Sequence, residues 1–346
     1  MKARKARMRN AIVVAMLATL TISVMPLEAQ VVPTPPSPPL APRTPRAPRP
    51  PRPPRAWFGS SDQGVARIDT VVAFSSNGTV ELSLIAGSMR VSTWDRNQVR
   101  VVASTSGPPS LQFDASSSHI TLEQTGSGWR NNRNGDGDAV GRATYEVTVP
   151  TGAHATLSAV SGSVDVAGVR GPVEVSNVSG RVDVRDVGSS LSVEGVSGRI
   201  TATNVGSDAR IENVSGPISV TGVAGTVSAE TVSGSIIIGN VRGDRVHATS
   251  VSGSIDFTGS VSGSGRYEFE THSGRTDLRL GSNANATVSV ETFSGSVSNE
   301  YPGAVRRRNS DPDDDRTNFD YAIGRGEGRV RVDTFSGSVH ISQGNP

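Results

Sequence analysis

Residues 160–240 read VSGSVDVAG, VRGPVEVSN, VSGRVDVRD, VGSSLSVEG, VSGRITATN, VGSDARIEN, VSGPISVTG, VAGTVSAET and VSGSIIIGN, nine consecutive units of nine residues. A ten-residue unit, VRGDRVHATS, then precedes VSGSIDFTG. The Ser-Gly pair recurs every 18 residues at Ser161, Ser179, Ser197, Ser215 and Ser233, and again at Ser252, Ser273, Ser294 and Ser336 as the period loosens. A fixed period of this kind is the signature of a repeat architecture, in which each unit buries its apolar face only by stacking on the next.

Within a unit, positions 5 and 7 are apolar, as in Val164/Val166, Val182/Val184, Ile200/Ala202, Ile218/Val220, Ile236/Ile238 and Ile255/Phe257, with a mostly polar residue between them. That alternation describes a short strand buried on one face. Position 3 is mostly glycine and position 9 is Gly, Asn, Asp or Thr, which suit the positive φ of tight turns. Position 1 is valine throughout and is expected to point inward at a corner. Two strands and two corners make an 18-residue coil, so the chain is predicted to be all-β, a parallel β-solenoid or β-helix-like stack. An array of meandering hairpins is the rival topology.

The flanks of the repeat are strand-like but less regular. Residues 57–150 contain alternating runs at Val65–Phe74, Thr79–Ile85, Ser88–Thr93, Gln98–Val102, Ile120–Gln124 and Ala143–Val149. They read as an irregular β N-terminal part of the same structure, covering its open edge. Solenoid repeats then occupy 151–300, a charged loop 301–327, and a closing strand 328–346 with its core at Arg329–Ser342.

Before all this, Lys2, Arg4, Lys5, Arg7 and Arg9 precede the apolar run Ala11–Met25, and a small residue, Ala29, follows. This is the layout of a secretory signal peptide over 1–29, with an uncleaved anchor as the alternative. After cleavage no transmembrane span is expected. Residues 30–56 form a Pro/Arg-rich linker expected to be disordered, with twelve prolines in 33–55 and arginines at Arg43, Arg46, Arg49, Arg52 and Arg55. Polyproline II has three residues per turn, so these arginines would share one edge of an arm about 70 Å long. Such an arm reads either as a basic tether for an anionic surface or as a solubilising spacer.

Of 34 basic and 32 acidic residues, ten basic and one acidic lie in residues 1–55, which leaves 24 and 31, a net of −7, for the rest. The repeat region is therefore not expected to bind nucleic acid. There is no cysteine, which removes disulfides and thiolate chemistry.

Catalytic patterns are equally scarce. The five histidines, His119, His154, His247, His272 and His340, lack metal-ligand spacing, and neither a nucleophile elbow nor a phosphate loop occurs. Asn134–Asp138 departs from a calcium loop at Ala139 and Tyr145 and reads as a hairpin tip. Asp311, Asp313, Asp314 and Asp315 follow Arg306–Arg308 and read as local charge pairing. No enzyme activity, cofactor or metal is expected. The pointed candidate is a surface ladder: Glu194, Glu212 and Glu230 lie 18 apart and would stack on one outer face. Stacked carboxylates repel and would recruit a cation or a basic partner, unless Arg210 in the neighbouring column neutralises them.

Three stretches carry a resemblance. IDTVVAFSSNGTVELSLIAGSMRVSTWDRNQVRVVAS (68–104), ATYEVTVPTGAHATLSAVSGSVDVAGV (143–169) and RVDTFSGSVHIS (331–342) resemble the opening, central signature and closing segment of the bacterial putative-adhesin family, an exported β-strand-repeat domain of unknown function. The resemblance covers about 65–342. It implies export, a solenoid-like fold and no established catalytic residues. The expected protein is an exported, non-enzymatic envelope or surface protein, in the periplasm or outside the cell, that binds polymers or surfaces through a repetitive β face. The alternative is a periplasmic structural or envelope-stress accessory protein with a protein partner.

Overall fold

The structure is a computed structural model, and it describes residues 67–106, 110–125, 141–307 and 317–344. The signal segment, the Pro/Arg arm with its five arginines, the Asn134–Asp138 tip and Asp311–Asp315 lie outside the described residues.

Among the described residues there are twenty-two strands and no helix. The first six are β1 (Arg67–Ala73), β2 (Thr79–Trp94), β3 (Gln98–Thr105), β4 (Ser110–Ala115), β5 (His119–Thr125) and β6 (Ala143–Pro150). A long β7 (His154–Ala167) opens the repeats, followed by β8 (Val173–Ser179), β9 (Val182–Val187), β10 (Leu191–Ser197), β11 (Ile200–Val205), β12 (Ala209–Ser215) and β13 (Ile218–Val223). The series continues with β14 (Val227–Ser233), β15 (Ile236–Gly239), β16 (Arg245–Ser252) and β17 (Ile255–Gly259). Last come β18 (Arg266–Leu280), β19 (Ala286–Asn299), β20 (Val305–Arg307), β21 (Thr317–Ile323) and β22 (Gly328–Gln343).

The repeats form a parallel stack with two faces. Even-numbered strands β8 to β16 pair in parallel register on the first face, and odd-numbered β9 to β17 on the second. Val164 pairs with Val182, Val182 with Ile200 and Ile200 with Ile218, so each aliphatic side chain sits on its own counterpart about 4.8 Å away. The hairpin array is therefore ruled out over the repeats. Long strands β2, β7, β18, β22 and β19 each turn through the Ser-Gly corner and serve both faces.

The two corners differ, and this corrects the expectation for position 1. On the first face strict alternation runs to the end of the strand: Val173 and Val175 point in, Asn177 follows inward, and Val178 lands outside. On the second face Asp186 adopts a left-handed φ of 55°, which resets the alternation and turns Val187 inward at 1% exposure. Asn204, Gly222 and Asn240 repeat that left-handed residue one per coil. So Val169, Val187, Val205 and Val223 are core, whereas Val160, Val178, Val196 and Val214 are about half exposed, between 47% and 50%. Position 9 splits in the same way. Its second-face copies make the left-handed turn, and its first-face copies, Gly195 apart, are the buried polar residues Asn177, Asn213 and Thr231 under the corner. Asn213 Nδ2 donates to the carbonyl of Gly198 at 2.9 Å, meeting a backbone acceptor that the tight turn leaves unpaired.

The N-terminal strands continue this sheet. β2 pairs with β7; β5 and β6 cover the two halves of β2. Antiparallel β4 then lies beside β5, antiparallel β3 beside β6, and β1 beside β3. At the other end the closing strand, β22, inserts in parallel between β18 and β19. The charged loop 301–327 contains β20 and β21, and β21 pairs antiparallel with β19. Alternating Tyr321 and Ile323 are buried there, an apolar pattern too short to stand out among charges. No helix among the described residues is long and apolar enough to cross a membrane.

Candidate functional site

The outward side chains of a parallel stack form single-file columns, one residue per coil, so register decides which residues meet. The glutamate ladder is in register: Glu194 pairs with Glu212 and Glu212 with Glu230 on β10, β12 and β14. Arg210, two residues before Glu212 on the same strand, forms an ion pair with it, so the middle carboxylate is neutralised from the side. Glu194 is exposed and Glu230 half-buried.

The acidic column is longer than the repeat period shows. Beyond Glu230 it continues through Thr249 to Glu270, Asp333 and Glu291. The last two became neighbours only because β22 sits between β18 and β19. Arg331 bridges them, with Nη2 at 3.1 Å from Glu291 and Nε at 2.7 Å from Asp333, and these contacts raise its pKa above the ordinary arginine value. Both acidic stretches thus carry one built-in arginine each. Among the described residues no group of three or more His, Asp or Glu side chains is arranged to hold a metal ion.

The second face carries Asp165, Asp183, Thr201, Ser219, Ile237, Asp256 and Asp277 in one column. Asp256 is the perturbed member. Partial burial raises its pKa, the adjacent Asp277 raises it further, and Arg279 at 3.7 Å opposes.

The five histidines are not gathered into one site. His119, His154, His247 and His340 each lie 3.6 to 3.9 Å from a glutamate oxygen, of Glu81, Glu174, Glu268 and Glu300 respectively. His272 stacks on Phe335 with centroids 4.8 Å apart, and Phe335 stacks on Phe293 at 5.0 Å.

That aromatic stack ends an apolar ridge that the inward assignment of position 1 concealed. Along the Ser-Gly corner the exposed column runs from Val160 through Val178, Val196, Val214 and Val232, passes the half-buried Val251 and then His272, and ends at Phe335 and Phe293, which are 49% and 54% exposed. Continuing the strand alternation past Asn177 would have revealed it. The ridge spans most of the stack and exceeds the scattered apolar exposure ordinary for a surface.

Among solved structures, a putative cell adhesion protein from Clostridium sporogenes is 10% identical, over 81% of this chain and 100% of that one, with a TM-score of 0.23. A putative adhesin from Bacteroides fragilis is 11% identical, over 80% of this chain and 96% of that one, with a TM-score of 0.32. Superpositions this loose carry no weight for the fold, which rests on the registers above. No curated protein matches the chain. The corner glycines, the in-register valines and the closing SGS coil all fall within residues 80–342, the span matched by the family model Toastrack DUF4097, and the chain belongs to that family.

Proposed function

We propose that this chain is an exported, non-enzymatic envelope or surface protein that adheres to polymers or surfaces through its repetitive first face. The observation that carries the reading is the register of that face. Outward residues stand in straight columns on strands β8 to β18, so a periodic ligand meets a side chain at the same spacing at each coil. Contacts that are individually weak then add through effective concentration. The basic, apolar leader at 1–29 and the Pro/Arg arm support export and attachment at an anionic surface. The adhesin names of the two structural neighbours agree with this reading.

The experiment is protease treatment of intact cells followed by detection of the chain. Digestion supports surface adhesion. Protection contradicts it and favours a second reading, a periplasmic accessory protein with a protein partner. The specific feature behind that reading is the half-exposed valine and phenylalanine ridge, since apolar surface rimmed by polar residues is the ordinary material of protein contacts.

A further inference from the structure

Three arginines on the first face stand in consecutive coils. Arg245 of β16 pairs in register with Arg266 of β18, and Arg266 with Arg329 of β22. All three are exposed, and none belongs to an ion pair among the described residues, unlike Arg210 and Arg331 on the same face. Of the carboxylates close along the chain, Glu268 lies 3.8 Å from His247, Glu327 lies 3.4 Å from Arg325 and accepts a hydrogen bond from Asn285, and the exposed Asp244 lies beside Arg245 without forming an ion pair with it. Like charges side by side on neighbouring strands destabilise a sheet. Elsewhere on this face the stacked acids receive an internal counter-charge; this stack receives none.

The column continues straight into a shallow groove. Thr226 precedes Val227 as Arg245 precedes its partner Val246, and the groove runs back over Thr226, Asp208, Ser190 and Pro172, with Ser228, Arg210, Ser192 and, at its far end, Glu174 along its side. Asp208 Oδ1 accepts the backbone N–H of Thr226 at 2.7 Å, so its carboxylate is turned to the chain. Ser190 and Thr226, in alternate coils, and Ser192 and Ser228 beside them therefore lead to three arginines on neighbouring strands about 4.8 Å apart.

We propose that this line binds a linear acidic polysaccharide lying along the stack, with carboxylates on Arg245, Arg266 and Arg329 and sugar hydroxyls on the serines and threonine of the groove. The inference rests on the adhesive reading above and names its ligand class and site. Guanidinium suits carboxylate because its planar fork donates two parallel hydrogen bonds. A flat anionic membrane fits worse, because Glu270 and Asp333 lie four residues along the same strands from Arg266 and Arg329, about 13 Å away. A single-stranded nucleic acid would want stacking platforms beside the basic line; the exposed aromatics Phe335 and Phe293 lie at the corner, six residues along the strand from Arg329 and Thr287, about 20 Å away, and Tyr267 and Phe269 beside the arginines are buried.

The test uses the full chain and polygalacturonate, with dextran as a neutral polymer and anionic vesicles as a flat surface. Polygalacturonate binds at about 50 mM salt and weakens as salt rises; dextran and vesicles do not compete. Replacing Arg245, Arg266 and Arg329 together by glutamine lowers affinity about tenfold or more with an unchanged urea midpoint. Glutamine at Arg199 and Arg275 on the second face leaves affinity unchanged. Unaltered binding by the triple variant, binding lost only when Arg43, Arg46, Arg49, Arg52 and Arg55 are replaced, stronger binding to vesicles, or no binding of the parent would each overturn the inference. If the triple variant still attaches to intact cells as the parent does, this site is wrong while adhesion stands. If the parent itself does not attach, the broader reading fails.

Discussion

Val178 and Val187 each open a unit of the repeat nine residues apart, yet the first is 48% exposed on the Ser-Gly corner and the second 1% exposed in the core. The left-handed Asp186 between them separates the two environments. Val187→Ala removes two methyl groups from close packing and should cost about 2 kcal/mol. Val178→Ala should cost under about 0.5 kcal/mol. Urea midpoints of the two variants check this, and equal losses would contradict the assigned corners.

Gly198 holds φ at 135°, and a Cβ there would collide with the carbonyl oxygen of Gly180 one coil below. Gly198→Ala must therefore separate two coils, and a loss of about 3 kcal/mol or more is expected. Gly303 has φ 74° but open space around it, so Gly303→Ala should cost only the backbone term, about 1–2 kcal/mol. Thermal melts of the pair separate steric from conformational cost.

The glutamate column predicts an asymmetry. Glu194→Gln and Glu230→Gln each relieve repulsion from Glu212 and should stabilise by a few tenths of a kcal/mol. Glu212→Gln also strands Arg210 and should bring no gain. The difference should vanish near 1 M salt, where screening reaches about 3 Å.

Asp256 supplies the pH dependence. Its folded pKa is raised above the ordinary 3.8, so the folded state holds a proton that the unfolded state releases. That contribution is complete below the ordinary value and is lost as pH rises through the raised one. Asp256→Asn, which keeps a donor toward Asp277, should stabilise at neutral pH by up to about 1 kcal/mol and change nothing at pH 3. A gain that persists in acid would contradict the assignment.

Much of this was legible in the 18-residue period. Alternation at Val182/Val184 and Ile200/Ala202 defines strands, and equal spacing defines their parallel register, so the alignment of Glu194, Glu212 and Glu230 followed directly. What was not legible depended on backbone geometry or on chain order. Asp186 and Asn177 both occupy position 9, and nothing in their side chains says that one makes a left-handed turn while the other points into the core. Arg266 and Arg329 are 63 residues apart and meet only because β22 returns between β18 and β19; a local period cannot encode that insertion. Within β20 and β21 the apolar positions are too few to outweigh the surrounding charge.

The lack of cysteine makes the in-register stack open to a direct measurement: oxidative cross-linking of the pair Glu194→Cys and Glu212→Cys, with Glu194→Cys and Thr203→Cys as the comparison. Adjacent parallel partners have Cα atoms about 5 Å apart, within disulfide reach, whereas Thr203 lies on the other face. Rapid, concentration-independent closure of the first pair alone is the predicted result. Failure of that pair to close, or equal closure of the second, would contradict the columns on which the binding face depends.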